Sequence, residues 1–144
     1  MNKYYNKFIN KNYIDEELFY KISDYSIEKK LKNGIKELDE IEKVFFMVGL
    51  LIMEVNSGGF DFYFIDAGGN KYAKETLKFL NEIDENNFSI LLNKAINIFN
   101  SDKEYDQKFK ELDDIDSEFY KFSTPEYNNL YERCIRYLKK NYYI

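Results

Sequence analysis

Apolar residues along this chain recur mostly three and four positions apart. Ile41, Val44, Phe45, Val48, Leu51, Ile52 and Val55 keep that spacing through the middle of the sequence, which predicts a helix. From Val44 onward the opposite face is apolar too, with Phe46, Met47, Leu50 and Met53. A helix apolar on all sides belongs in a core or a membrane. The fully apolar run, residues 44–53, falls short of the roughly 20 residues that a span needs, so it reads as a central core helix. Gly49 within it costs about 1 kcal/mol relative to alanine, a cost that close approach of a neighbouring helix would offset. Asn56 and the glycines Gly58 and Gly59 predict its end. Phe60, Phe62 and Phe64 alternate as in a strand, while Phe60, Tyr63 and Phe64 have helical spacing. With no partner strand nearby, one or two helical turns are the better expectation. Gly68-Gly69-Asn70 then predicts a turn and a cap.

The flanking segments repeat the helical period. Residues 1–13 read as a loose lead-in. A short helix starts at Asp15 with Leu18, Phe19 and Ile22, its acid placed as a cap. A second starts near Asp24 with Ile27 and Leu31 and ends at Asn33-Gly34. The central helix starts near Ile35, and Glu37, Asp39, Glu40 and Glu42 suit the positive end of its dipole. Beyond it, Ala73, Leu77, Leu80 and Ile83 form one stripe after an Asn70 cap. Residues 84–87 form a turn, and Phe88, Leu91, Leu92, Ala95 and Phe99 a second stripe. A more exposed helix over 102–114 carries only Tyr105, Phe109 and Leu112, and a short one follows with Ile115, Phe119 and Phe122. Ser123-Thr124-Pro125-Glu126 has the form of a helix start, leading into Tyr127, Leu130, Tyr131, Cys134 and Leu138. The expectation is an all-α fold of seven or eight helices, a single compact domain over residues 14–144 around the buried central helix.

Composition narrows the chemistry. In 144 residues there is no histidine and one cysteine. That excludes His-based triads, His zinc sites and Cys-rich metal sites, and no metal or cofactor is expected. Cys134 lies on an apolar stripe and reads as a buried inert thiol. Ser57-Gly58-Gly59 lacks the Gly-Lys-Ser/Thr ending of a phosphate loop. Lys and Arg number 21 against 26 Asp and Glu, a net charge of −5, and only Arg133 and Arg136 are arginines. Both facts argue against direct nucleic-acid binding. No signal-like or membrane-spanning segment is read, so the expected setting is the cytoplasm, bacterial or phage. Fourteen Tyr and thirteen Phe with no Trp place many ring edges at the border of the core.

Charge concentrates in one place. Asp102, Glu104, Asp106, Glu111, Asp113, Asp114, Asp116 and Glu118 lie within seventeen residues, against Lys103, Lys108 and Lys110. This run is either a solvated helix face or a surface for a basic partner. Arg133, Arg136, Lys139 and Lys140 near the chain's end suit a helix C-terminus and would also dock on the acidic segment of a second copy, favouring a homodimer. Glu54 follows the apolar run. It reads either as a carboxylate that, with Asn56, pins the turn at 56–60, or as a general base.

Glu54-Val55-Asn56-Ser57-Gly58-Gly59-Phe60, followed by Tyr63-Phe64 and Gly68-Gly69, resembles the E-x-N-G-G-F-x-Q-Y-F signature of a bacterial all-helical domain of unknown function. That family includes a neisserial DNA-mimic protein. The likeness continues through Ala73-x-Glu75-Thr76-Leu77, Leu91-Leu92-x-x-Ala95 and Leu112-Asp113-x-x-Asp116-x-x-Phe119-Tyr120, covering roughly residues 35–140. Ser57 and Asp61-Phe62 depart from the family pattern. The resemblance implies structural roles for Glu54, Asn56, Gly58, Gly59, Phe60, Tyr63, Phe64 and Gly69. It also implies a non-catalytic module that presents carboxylates to a DNA-binding protein. The alternative is a small immunity or antitoxin-like protein that binds a specific toxin without imitating DNA. An enzyme using Glu54, Asp66 and Tyr63 is a distant third.

Overall fold

Six α-helices and two single 3-10 turns follow one another over residues 15–142 of a computed structural model that describes residue 8 and residues 11–142. The helices are α1 (Asp15–Asn33), α2 (Glu40–Phe64), α3 (Ala73–Glu82), α4 (Asn86–Phe99), α5 (Tyr105–Phe122) and α6 (Leu130–Tyr142). No strand occurs among the described residues, so the chain is all-α. The lead-in expected over residues 1–13 lies largely outside the described residues.

Several boundaries differ from the spacing-based expectation, each for a local reason. The two helices expected over 15–33 are one. Asp24 does not interrupt it, and Ser26 returns its hydroxyl to the Ile22 carbonyl at 2.8 Å inside the helix. Its acids Asp15, Glu16 and Glu17 occupy the first turn, where they favour the dipole, and no side chain caps it. Residues 35–37 form a 3-10 turn, and α2 starts later because Asp39 caps it. Asp39 Oδ1 accepts the Glu42 N–H at 2.8 Å, and Glu42 Oε1 accepts the Asp39 N–H at 3.1 Å. This is a reciprocal capping box. Asn70 does not cap α3; it lies in the 3-10 turn Gly69–Lys71. The helix expected over 102–114 and the short one after it are a single helix, α5. Ser123 and Thr124 do not start the last helix either. Their hydroxyls donate back to the Phe119 and Lys121 carbonyls at the end of α5, and α6 begins at Leu130.

The chain divides into two compact units. One comprises the described residues up to Gly49 and from Asn129. Here α1 packs on α6. Phe19 lies 5.0 Å from the Tyr131 ring and 5.6 Å from Phe45, and the Tyr20 and Tyr131 hydroxyls share a hydrogen bond of 2.9 Å. Leu130, Cys134 and Leu138 are fully buried along one face of α6. Each such aliphatic burial contributes about 1.5–3 kcal/mol.

The other unit, Leu50–Asn128, stacks α3 on α4 and α4 on α5. Its core is aromatic: Phe60 meets Phe119 edge-on at 5.4 Å, Phe119 meets Phe88 at 5.0 Å, and Phe64 stacks on Phe99 at 4.6 Å. Gly69 is buried because the Tyr63 ring occupies the space that a Cβ would need.

Helix α2 is interrupted once, at Gly59, with φ 82° and ψ 178°. Only glycine adopts that conformation readily. Residues 60–64 then resume helical geometry and form no strand. By length and composition α2 could cross a membrane, but 61% of its most apolar stretch is buried within the protein, as in a core helix.

Candidate functional site

The acidic run divides three ways in the structure. Asp102, Glu104, Asp106, Asp113, Asp114 and Glu118 are exposed on α5 and the segment leading into it. Glu111 is half-buried and takes an ion pair from Lys103. Asp116 does not belong to the surface: it is 9% exposed, and its Oδ1 accepts the Phe60 N–H at 2.8 Å. The sequence carried a signal for this, because Leu112, Asp116 and Phe119 fall at i, i+4 and i+7 on one helix face.

Asp116 works on the Gly59 break. A helix that restarts leaves N–H groups without intrahelical partners, and the carboxylate takes the first of them. Its second oxygen lies where a Cβ on residue 59 would sit. The Tyr120 hydroxyl, one turn further on, donates to the Val55 carbonyl at 3.2 Å on the other side of the break. The residues expected to pin this turn do something else. Asn56 is exposed and Glu54 is half-buried, and neither has a side-chain hydrogen bond to the turn among the described contacts. Phe60, Tyr63 and Phe64 are fully buried, and Gly58 is exposed with the Phe62 side chain 2.7 Å from where its Cβ would lie.

The lysines in the run neutralise little of the open face. Lys103 is committed to Glu111, and Lys108 donates to the Phe99 carbonyl at 3.0 Å, at the end of α4. Lys110 is exposed. On one flank, Asp114, Glu118 and Glu111 face Lys94 across an open groove of about 460 Å³ between α4 and α5. On the other flank, spacing missed two members. Asp61, near the end of α2, feels both Asp66, just past that end, and Asp113 on α5. Burial pushes the Asp61 carboxyl above its usual range, and Asp66 and Asp113 push it further. Partial loss of hydration against the neighbouring side chains, then Asp61 and Asp66, also raise the Tyr105 hydroxyl, although the residue is exposed. For Asp116 burial also dominates and outweighs the Phe60 N–H, with Asp113 and Asp61 adding to it. Only the tertiary fold brings Asp61 to Asp113, and no local pattern announces it.

Two exposed tyrosines, Tyr105 and Tyr120, accompany these carboxylates. Asp66 is exposed and Tyr63 is buried. Among the described residues, no group of three His, Cys, Asp or Glu side chains is arranged to hold a metal ion. What the arrangement offers is negative potential and aromatic surface on one helix and the turn beside it.

A family model described as DMP19-like protein matches residues 36–141. Comparison with curated proteins and with solved structures gives no match.

Proposed function

This chain belongs to the DMP19-like family, and from that premise we propose that it is a non-catalytic binding module whose acidic surface occupies the DNA-binding face of another protein, acting in the cytoplasm. The observation that carries this reading is the set of six open carboxylates along α5 and its lead-in, joined on one flank by Asp61 and Asp66. Helix α5 has 18 residues, a length of about 27 Å at 1.5 Å per residue. Over that distance one DNA strand presents about eight phosphates and a duplex about sixteen. Four of the open carboxylates, Asp106, Asp113, Asp114 and Glu118, lie on α5 itself, and even with Asp102, Glu104, Asp61 and Asp66 the total does not exceed the charge of one strand. The natural target of this surface is a groove that grips a single backbone.

The test uses purified DNA-binding regulators and nucleases from the organism that encodes the chain. At least one should release its DNA when this protein is added, with the effect fading between about 50 and 200 mM salt. Charge reversal at Asp113 and Asp114 together should abolish the release. Release that ignores those changes, or none from any member of the set, would remove the reading.

Tyr105 and Tyr120 favour a second reading. DNA backbones offer no counterpart to exposed tyrosine, whereas tyrosine is enriched where proteins recognise one another. An immunity-type protein that binds one toxin would use them directly, and its binding would not compete with DNA.

A further inference from the structure

A small recess opens on the acidic flank where the end of α2 meets α4 and α5. Its volume is about 120 Å³, and Asp61, Phe99, Tyr105, Lys108, Phe109 and Leu112 line it. At about 30 Å³ per molecule it has room for about four waters, or for the aliphatic stem of one long side chain. Phe99, Phe109 and Leu112 make its walls apolar. Tyr105 stands at the rim, 56% exposed, and its ring meets Phe109 edge-on with centroids 4.1 Å apart. Asp61 supplies a carboxylate at the same recess, with Asp66 and Asp113 close enough to raise its proton affinity. None of these three acids has a salt-bridge partner among the described residues. The basic residue of the lining, Lys108, has its ammonium on the Phe99 carbonyl.

We propose that this recess is a socket for one arginine side chain of the partner protein, with the stem against Phe109 and Leu112, the guanidinium over Tyr105 and its charge met by Asp61. Arginine fits better than lysine. Its planar head stacks on an aromatic face and hydrogen-bonds a carboxylate at the same time, and it sheds water more readily. The inference rests on the binding reading above and makes it specific. The acidic face attracts a basic partner at long range, and the socket sets where that partner docks.

The experiment titrates ¹⁵N-labelled protein with N-acetyl-arginine methylamide, using the citrulline analogue as a neutral control. Saturable shifts at the amides of Asp61, Tyr105 and Leu112, absent with citrulline, support the socket. Asp61→Asn and Tyr105→Ala should each weaken the arginine probe about three- to fivefold, while Glu16→Gln, an exposed acid in the first turn of α1, should leave it unchanged. Shifts spread evenly over all acidic positions, or a Tyr105→Ala variant that binds as well as the parent, would overturn it. The two readings fail separately. A probe seated in the recess with no DNA-binding protein displaced upholds the socket and removes the mimic. Displacement unaffected by Asp61→Asn and Tyr105→Ala removes the socket and leaves the mimic standing.

Discussion

Asp116 Oδ1 accepts the backbone N–H of Phe60 at 2.8 Å, joining residues 56 positions apart. The bond ties the middle of α5 to the one point where α2 departs from helical geometry. It explains three residues together. Gly59 provides the backbone angle and the space, Phe60 provides the N–H and a ring buried against Phe119, and Asp116 provides the acceptor. A carboxylate within an acidic run is thus a structural member of the core.

Asp116→Ala should destabilise the protein by about 1–3 kcal/mol, because the Phe60 N–H is left buried without a partner. Asp116→Asn keeps an acceptor and should cost clearly less. The pH dependence follows from the same site. Burial raises the folded-state proton affinity of Asp116, so the native protein takes up this proton at a higher pH than the unfolded chain does. Its contribution to stability is therefore fully present below the unfolded value, about 3.9, and is lost as pH rises through the higher folded value. Urea unfolding between pH 4 and 7 should show this component in the parent and not in Asp116→Asn.

Gly59→Ala and Gly68→Ala separate backbone strain from steric overlap. Gly68 has φ 70° and ψ 20° with open space around it, so alanine there meets only the left-handed cost of about 1–2 kcal/mol. Gly59 lies in a region almost closed to other residues, and its new Cβ would fall against the Asp116 carboxylate. The loss should exceed that at Gly68 by about 2 kcal/mol or more. Equal midpoints for the two variants in urea would contradict the proposed role of Asp116 at the break.

The central helix, its interruption and the stripes of α3, α4 and α6 were legible because a 3.6-residue period is written into Val44, Val48, Leu51, Val55 and their counterparts. Boundaries were less legible where one residue type serves two ends. Ser123 and Thr124 match a helix start, yet their hydroxyls close α5. Asp24 matches a cap, yet it continues a helix. The candidate surface was half legible. Linear charge density marked α5, but density cannot distinguish Asp114, which faces water, from Asp116, which faces Phe60. Asp61 and Asp66 join the surface only through tertiary contact, which no one-dimensional pattern encodes.

Glu42 holds the start of α2 with one oxygen that accepts both the Asp39 N–H and the Lys29 ammonium, the latter at 2.9 Å. The residue is 1% exposed, and burial raises its proton affinity against the pull of Lys29 and the Asp39 N–H. Glu42→Gln keeps an acceptor for the capping box and removes a buried charge, so it should change stability by less than about 1 kcal/mol at pH 7. Glu42→Ala removes the cap and strands Lys29, at a cost of about 1–3 kcal/mol. Thermal unfolding of the two variants side by side measures the difference.

Tyr63 sets the alkaline limit. Its side chain is fully buried between Phe60, Phe64 and Gly69, and burial pushes its hydroxyl up to about 12. In the unfolded chain a tyrosine ionises near 10. Between those values the unfolded state has lost the proton and the native state has kept it, so stability falls as pH rises. The contribution is complete below about pH 10 and is lost progressively on the way to 12. Tyr63→Phe removes the ionisable group and keeps the ring, so its stability should decline less steeply over that window. The comparison is made by urea unfolding at pH 9, 10 and 11. Parallel declines for parent and variant would place the alkaline sensitivity in the other tyrosines, and they would show that the Tyr63 hydroxyl reaches water before the fold gives way.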